Sequence, residues 1–150
     1  MIALYEDQGI LRREELKARQ DIYLDQYCKT VHTEAIMAIR LGRTVIFPAA
    51  MRYQGELART AQAMQSVGKQ IRTSTLDEVT AELHGLQDAV EQLERSLGEI
   101  EDCQQDAAGR YCEEIIPLMA RVREYADHLE MIVPDDLWAL PSYEEILFDK

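Results

Sequence analysis

The run TLDEVTAELHGLQDAVEQLERSLGEI, residues 75–100, decides the fold. Its apolar residues fall at Leu76, Val79, Leu83, Leu86, Val90, Leu93, Leu97 and Ile100, alternating steps of three and four. That period lays one continuous apolar seam along an α-helix and fits no strand, whose faces alternate every second residue. Thr75 with Glu78 three positions on has the spacing of a capping box, so a helix is expected to open there.

The same alternation occurs on either side. Upstream it runs through Ile46, Ala50, Tyr53, Leu57, Thr60, Met64, Val67 and Ile71, with Thr60 the single polar member. Downstream it runs through Tyr111, Ile115, Leu118, Val122, Tyr125, Leu129 and Ile132, after an expected break at Gly109. Three seams imply three packed helices, and short connections force antiparallel neighbours. Charge supports the pairing of the first two. Residues 40–72 carry six Arg or Lys against one Glu, whereas residues 76–106 carry ten Asp or Glu against Arg95 alone. Residues 13–46 read as a further helix, with Tyr23, Tyr27, Val31, Ala35 and Ala38 on one face. It runs into Pro48, which removes a backbone donor and crowds the preceding turn, so a kink is expected near Ile46 or Phe47. A straight helix over 13–71 would be about 90 Å long and would outrun its partners. Pro117 interrupts the last seam without breaking its register, which predicts a bend and not a stop. The expected class is all-α: an antiparallel helical bundle with a long kinked first helix and a short C-terminal helix. Its expected divisions are a connecting segment 1–12, the bundle 13–132, and an irregular tail 133–150.

Composition narrows the function. A net charge of −12 over 150 residues argues against nucleic acid, whose binding depends on Lys and Arg neutralising phosphates. No apolar run approaches the ~18 residues of a membrane span and the N-terminus MIALYEDQGI has no leader pattern, so a cytoplasmic location is expected. Cys28, Cys103 and Cys112 are odd in number and lack CxxC spacing, which reads as reduced, half-buried thiols. Glu124 and His128 are four apart and could offer two metal ligands, but the repeated Glu-x-x-His pattern of di-metal bundles is missing, and the three histidines read as surface residues. No phosphate loop, nucleophile elbow or Cys/His constellation is present. Read alone, the chain has no catalytic, cofactor-binding or metal residues.

The tail VPDDLWALPSYEEILF, residues 133–148, holds the only tryptophan, two prolines and a tyrosine. Pro134 and Pro141 prevent helix continuation, Asp135 and Asp136 suit a turn, and Ser142 with Glu145 forms a capping box for a short final helix. The tail is expected to turn back after Ile132 and lay Trp138, Leu140 and Tyr143 on an apolar surface, with Ile146, Leu147 and Phe148 giving the last helix an apolar side.

Three blocks then carry a resemblance: GILRREELKARQDIYLDQYCKTVHTEA at 9–35, IFPAAMRYQGELA at 46–58, and REYADHLEMIVPDDLWALPSYEEILF at 123–148. Together they resemble the C-terminal region of type III glutamine synthetases. The specific parts are Pro-Ala-Ala-x-Arg-Tyr at Pro48–Tyr53 and the Asp-Leu-Trp, Leu-Pro-x-Tyr and Leu-Phe ending at Asp136–Phe148. Ala139 departs from the family, which has a second proline after the tryptophan. The resemblance implies a large cytoplasmic ligase that joins ammonia to glutamate with ATP and magnesium or manganese, assembled in stacked hexameric rings. It places the catalytic residues in a preceding domain, so none is carried onto this chain. Expected partners are that catalytic domain and neighbouring subunits, with a homo-oligomer of this chain possible. Pro48, Arg52, Tyr53, Trp138, Leu140, Pro141, Tyr143 and Phe148 are the interface or structural candidates, Arg52 because it sits one step off the seam. The competing expectation is an independent acidic adaptor or sensor that binds another protein.

Overall fold

The structure, a computed structural model, describes residues 12–102 and 107–141 together with Leu147. Helix α1 spans Arg13–Leu41, α2 Phe47–Ser66, α3 Ser74–Asp102, α4 Ala107–Arg110 and α5 Ile116–Ile132. Two π-helical turns, Gly42–Ile46 and Tyr111–Ile115, join α1 to α2 and α4 to α5 without interruption. The described helices therefore form three rods. No strand occurs among the described residues.

Both π turns end two residues before a proline, and the cause is shared. Pro48 and Pro117 have no N–H to give the ordinary i−4 bond, and their rings crowd the preceding carbonyls. The residue before each proline reaches back one position further instead: Phe47 N–H donates to the Gly42 carbonyl and Ile116 N–H to the Tyr111 carbonyl. One extra residue is taken into the turn, so the apolar face resumes in register beyond it. Ile46 and Ala50 are buried around the first turn, and Ile115 and Leu118 around the second. This is the bend expected at each proline.

Cross-rod contacts fix the directions. Arg43 pairs with Glu94 and Gln54 Nε2 donates to Thr80 Oγ1 at 2.7 Å, so the first rod and α3 run antiparallel. Arg121 Nη1 donates to Gln92 Oε1 at 2.9 Å and His128 meets Glu82, so α3 and α5 are antiparallel too. The basic and acidic segments are thus neighbours, as expected. His32 Nδ1 lies 3.0 Å from the Tyr111 hydroxyl, 79 residues on, and Gly42 faces Val122 and Val90. The first and third rods accordingly lie side by side and parallel.

The α3 seam is the centre of the core. Val79, Leu83, Leu86, Val90, Leu93, Leu97 and Ile100 are all buried, with Leu76 half-buried at the start. Burying each such side chain contributes roughly 1.5–3 kcal/mol. From the third rod Tyr111, Ile115, Leu118, Val122 and Leu129 enter the same core, with Tyr125 and Ile132 at its edge. Close approach needs glycine at two points. A Cβ on Gly42 would sit 2.9 Å from Val90 Cγ2, and one on Gly85 would collide with the Tyr125 ring.

Four expectations need correction. Helix α3 starts at Ser74, where Asp77 N–H donates to the Thr73 carbonyl at 2.9 Å, so its entry lies before Thr75. The second seam leaves the core after Leu57, with Thr60 and Met64 still helical but exposed, and does not run to Ile71. Gly68, at φ +72°, closes the helix: Lys69 N–H donates to the Met64 carbonyl and Gly68 N–H to the Gln65 carbonyl, both at 3.0 Å. This is a glycine C-cap in the left-handed region, which leaves Val67 and Ile71 outside the helix and exposed. Gly109 lies inside α4 and is no break. The link between α3 and α4 falls on 103–106, outside the described residues. Tyr23, assigned to the buried face, is exposed because α1 has by then passed beyond the ends of the other rods.

Candidate interaction surface

Two of the parts that carry the family resemblance, Pro48–Tyr53 and the described start of the tail, lie at the same end of the bundle. The offset of 79 between His32 and Tyr111 puts Tyr53 level with the end of α5, where the tail begins. Tyr53 is half-buried and packs against the core beside Leu57. Arg52 is exposed, its Nε donating to the Pro48 carbonyl at 3.3 Å, and Pro48 itself is exposed. The block thus presents an arginine and a proline outward while its tyrosine and Ala49–Ala50 face inward.

The tail turns where its sequence says it should. Val133 N–H still donates to the Leu129 carbonyl, and Val133 is buried. The Pro134 carbonyl then accepts from Leu137 N–H at 3.0 Å and from Trp138 N–H at 3.1 Å, with Asp135 and Asp136 at the exposed corner. This reversal lays Leu137, Trp138 and Leu140 against the core, each half-buried. Trp138 Nε1 is buried and has no hydrogen-bond partner among the described residues. Pro141 is exposed. Tyr143, Phe148 and the Ser142–Glu145 capping box lie outside the described residues. Leu147 is helical and 71% exposed.

Electrostatics elsewhere tie rods together. Arg43 grips Glu94 with both nitrogens, Nη1 to Oε1 at 2.6 Å, which lowers the Glu94 carboxyl and raises the Arg43 guanidinium. Beside this pair a cleft of ≈ 140 Å³ is lined by Gly42, Arg43, Phe47, Leu86, Gln87, Val90 and Glu91. Arg110 bonds the Glu99 carbonyl and Glu114, anchoring α4 to the end of α3 and holding the Glu114 carboxyl low. His128 pairs with Glu82 at 3.3 Å and not with Glu124. Among the described residues no group of three or more His, Cys, Asp or Glu side chains could hold a metal ion. His32 is half-buried against Tyr111, where a surface position was expected. Cys28 is half-buried, and desolvation pushes its thiol up with Asp25 adding to the effect. Cys112 is exposed rather than half-buried, and Cys103 lies outside the described residues. No described helix is long and apolar enough to cross a membrane.

The profile of the glutamine synthetase C-terminal domain matches residues 1–65, which contain α1, the first π turn and nearly all of α2. A type-3 glutamine synthetase from Dictyostelium discoideum is 30% identical over 157 residues, covering 98% of this chain and 21% of the relative. The chain is a homologue of the C-terminal part of glutamine synthetases. A glutamine synthetase from Bacteroides fragilis (strain YCH46) is 27% identical over 153 residues, covering 95% of this chain and 21% of its own length. One from Butyrivibrio fibrisolvens is 25% identical over 155 residues, with 98% and 22% covered. The chain spans about a fifth of the length of these relatives. No solved structure matches it. The alternative of an unrelated adaptor gains no support from these matches to the glutamine synthetase C-terminal domain.

Proposed function

We propose that this chain is the non-catalytic C-terminal domain of a type III-like glutamine synthetase, supporting the packing and ring assembly of the parent enzyme. The observation that carries the proposal is the asymmetry of coverage: each relative matches almost all of this chain with only about a fifth of itself. The parent would join ammonia to glutamate using ATP and magnesium or manganese, chemistry that would belong to the part of the enzyme preceding this domain. Residues 1–12 would be the connection from that part, 13–132 the bundle, and 133–150 its tail. The end that carries Pro48, Arg52 and the Trp138 tail is proposed as one contact with the catalytic domain or a neighbouring subunit. The outward-facing Arg52 and Pro48 next to a folded-back aromatic tail favour that placement. A cytoplasmic location belongs to the same reading.

The test is to compare the parent enzyme with and without these residues for activity and for size by sedimentation. Loss of ring assembly with the catalytic core still folded is the expected result. A truncated enzyme of unchanged size and activity would overturn the proposal. Arg52→Ala refines it: a full-length variant with unaltered assembly and activity would remove Arg52 from the interface.

A further inference from the structure

The N-terminal half of α1 extends beyond the other described helices. By the register of the rods, Asp102 at the end of α3 stands level with about residues 32–35 of α1 and Ala107 at the start of α4 with about Cys28, so residues 13–26 have no described helix beside them. Within this overhang, Ile22 is 64%, Tyr23 69% and Leu24 43% exposed. Arg19, Asp21 and Asp25, all exposed, bound this single apolar turn.

Three consecutive helical residues point at steps of about 100°, so these side chains span roughly 200° of the helix circumference. A helix that lies on one flat surface needs an apolar stripe only a little wider than about 100°. The turn is therefore shaped for a groove that encloses it from two sides. Its extent also selects the occupant. A separate protein or a second copy of this chain needs on the order of 800 Å² from each partner for a stable interface, and one helical turn supplies a small part of that. A contact this small is sufficient when a covalent tether supplies the effective concentration. The homologues are about five times longer than this chain, and the matched family is a C-terminal domain, so the remainder attaches at the overhanging end of α1.

We infer that the turn Ile22–Leu24 seats in a groove on the catalytic part that precedes this domain, making a second contact at the opposite end from Arg52 and the tail. The inference rests on the reading of the chain as a domain of a larger ligase, and the experiment separates the two. The mass of the native polypeptide and the sequence upstream are established first. A native polypeptide of 17.2 kDa with no ligase sequence before it defeats the domain reading and this inference together. Given a longer parent, hydrogen exchange of residues 20–27 is compared between the wild-type parent and the 150-residue chain. The overhang alone should exchange as a fraying helix, whereas in the parent it should exchange at least about tenfold more slowly. Ile22→Glu in the parent should restore fast exchange at 20–27, and in the short chain should leave the melting temperature unchanged because Ile22 touches no core there. Equal, fast exchange in both wild-type proteins overturns the inference while leaving the domain reading intact. Protection in the short chain that grows with its concentration also overturns it, because a second copy would then be the occupant.

Discussion

Two glycines in similar helices are predicted to respond in opposite directions. Gly42 is buried where the first rod crosses α3 and α5, and its Cβ position is 2.9 Å from a methyl of Val90, a side chain with little rotamer freedom. Gly42→Val should cost about 1–3 kcal/mol through overpacking. Gly98 is exposed on α3 with nothing within 4 Å of a Cβ, so Gly98→Ala should gain about 0.4–1 kcal/mol by restricting the unfolded chain. Urea midpoints of the two variants check both. Trp138 offers a similar contrast. Its ring packs against the core while its buried N–H meets no partner among the described residues. Trp138→Phe should therefore cost less than about 1 kcal/mol, because no net hydrogen bond is lost. Trp138→Ala should cost about 2 kcal/mol, below the roughly 3–5 of a fully buried ring, because Trp138 is only half-buried.

At the scale of elements, the π turns are the distinctive feature, and they predict which deletions the fold tolerates. The turn Gly42–Ile46 contains one residue more than an α-helix needs. Removing exposed Thr44 should convert it to an α-turn and leave the buried faces of α1 and α2 in register. Removing exposed Asp88 from α3 should rotate the second half of that seam by about 100°, taking Leu93 and Leu97 out of the core. Thermal unfolding should remain cooperative in the first deletion and be lost in the second. The bends themselves were legible, since Pro48 and Pro117 sit within unbroken apolar registers; their π geometry was not, because periodicity locates a face without revealing how the backbone absorbs an extra residue. The end of α2 was legible and overlooked: Gly68 in QSVGKQ is a C-cap signal, outweighed by the apolar spacing of Val67 and Ile71. The reverse applies to Tyr23, whose spacing fits the buried face. Burial there depends on how far the neighbouring rods extend, and no local pattern encodes that. At the candidate surface, Pro134 and the two aspartates announced the reversal that brings Trp138 back onto the helices. The convergence of that tail with Tyr53 depends on the parallel register of two rods nearly eighty residues apart, which the sequence alone does not specify.

For the molecule as a whole, the tail's position can be read from its one indole. With Trp138 against the bundle, the folded 150-residue chain should emit at blue-shifted wavelengths and resist collisional quenching. A red-shifted, freely quenched emission would place its surface outside this chain. The parallel alignment of the first and third rods also governs how the chain assembles in time. The first rod and α3 are joined by a short turn after Ser66 and can pair as soon as it closes, whereas the contact of His32 with Tyr111 must close a loop of 79 residues. Loop closure grows more costly with length, and α3 can also pair early with the third rod across the equally short link at 103–106, so the contact between the first and third rods should form last, after the rate-limiting barrier. Tyr111→Phe removes the hydroxyl facing His32 and should destabilise by about 1 kcal/mol. That loss should appear almost wholly as unfolding about fivefold faster, with the refolding rate changed by less than about twofold. The lifetime of the native state, and hence its resistance to proteolysis, would then be set by the last pair of rods to meet and not by the heptad seam at the centre.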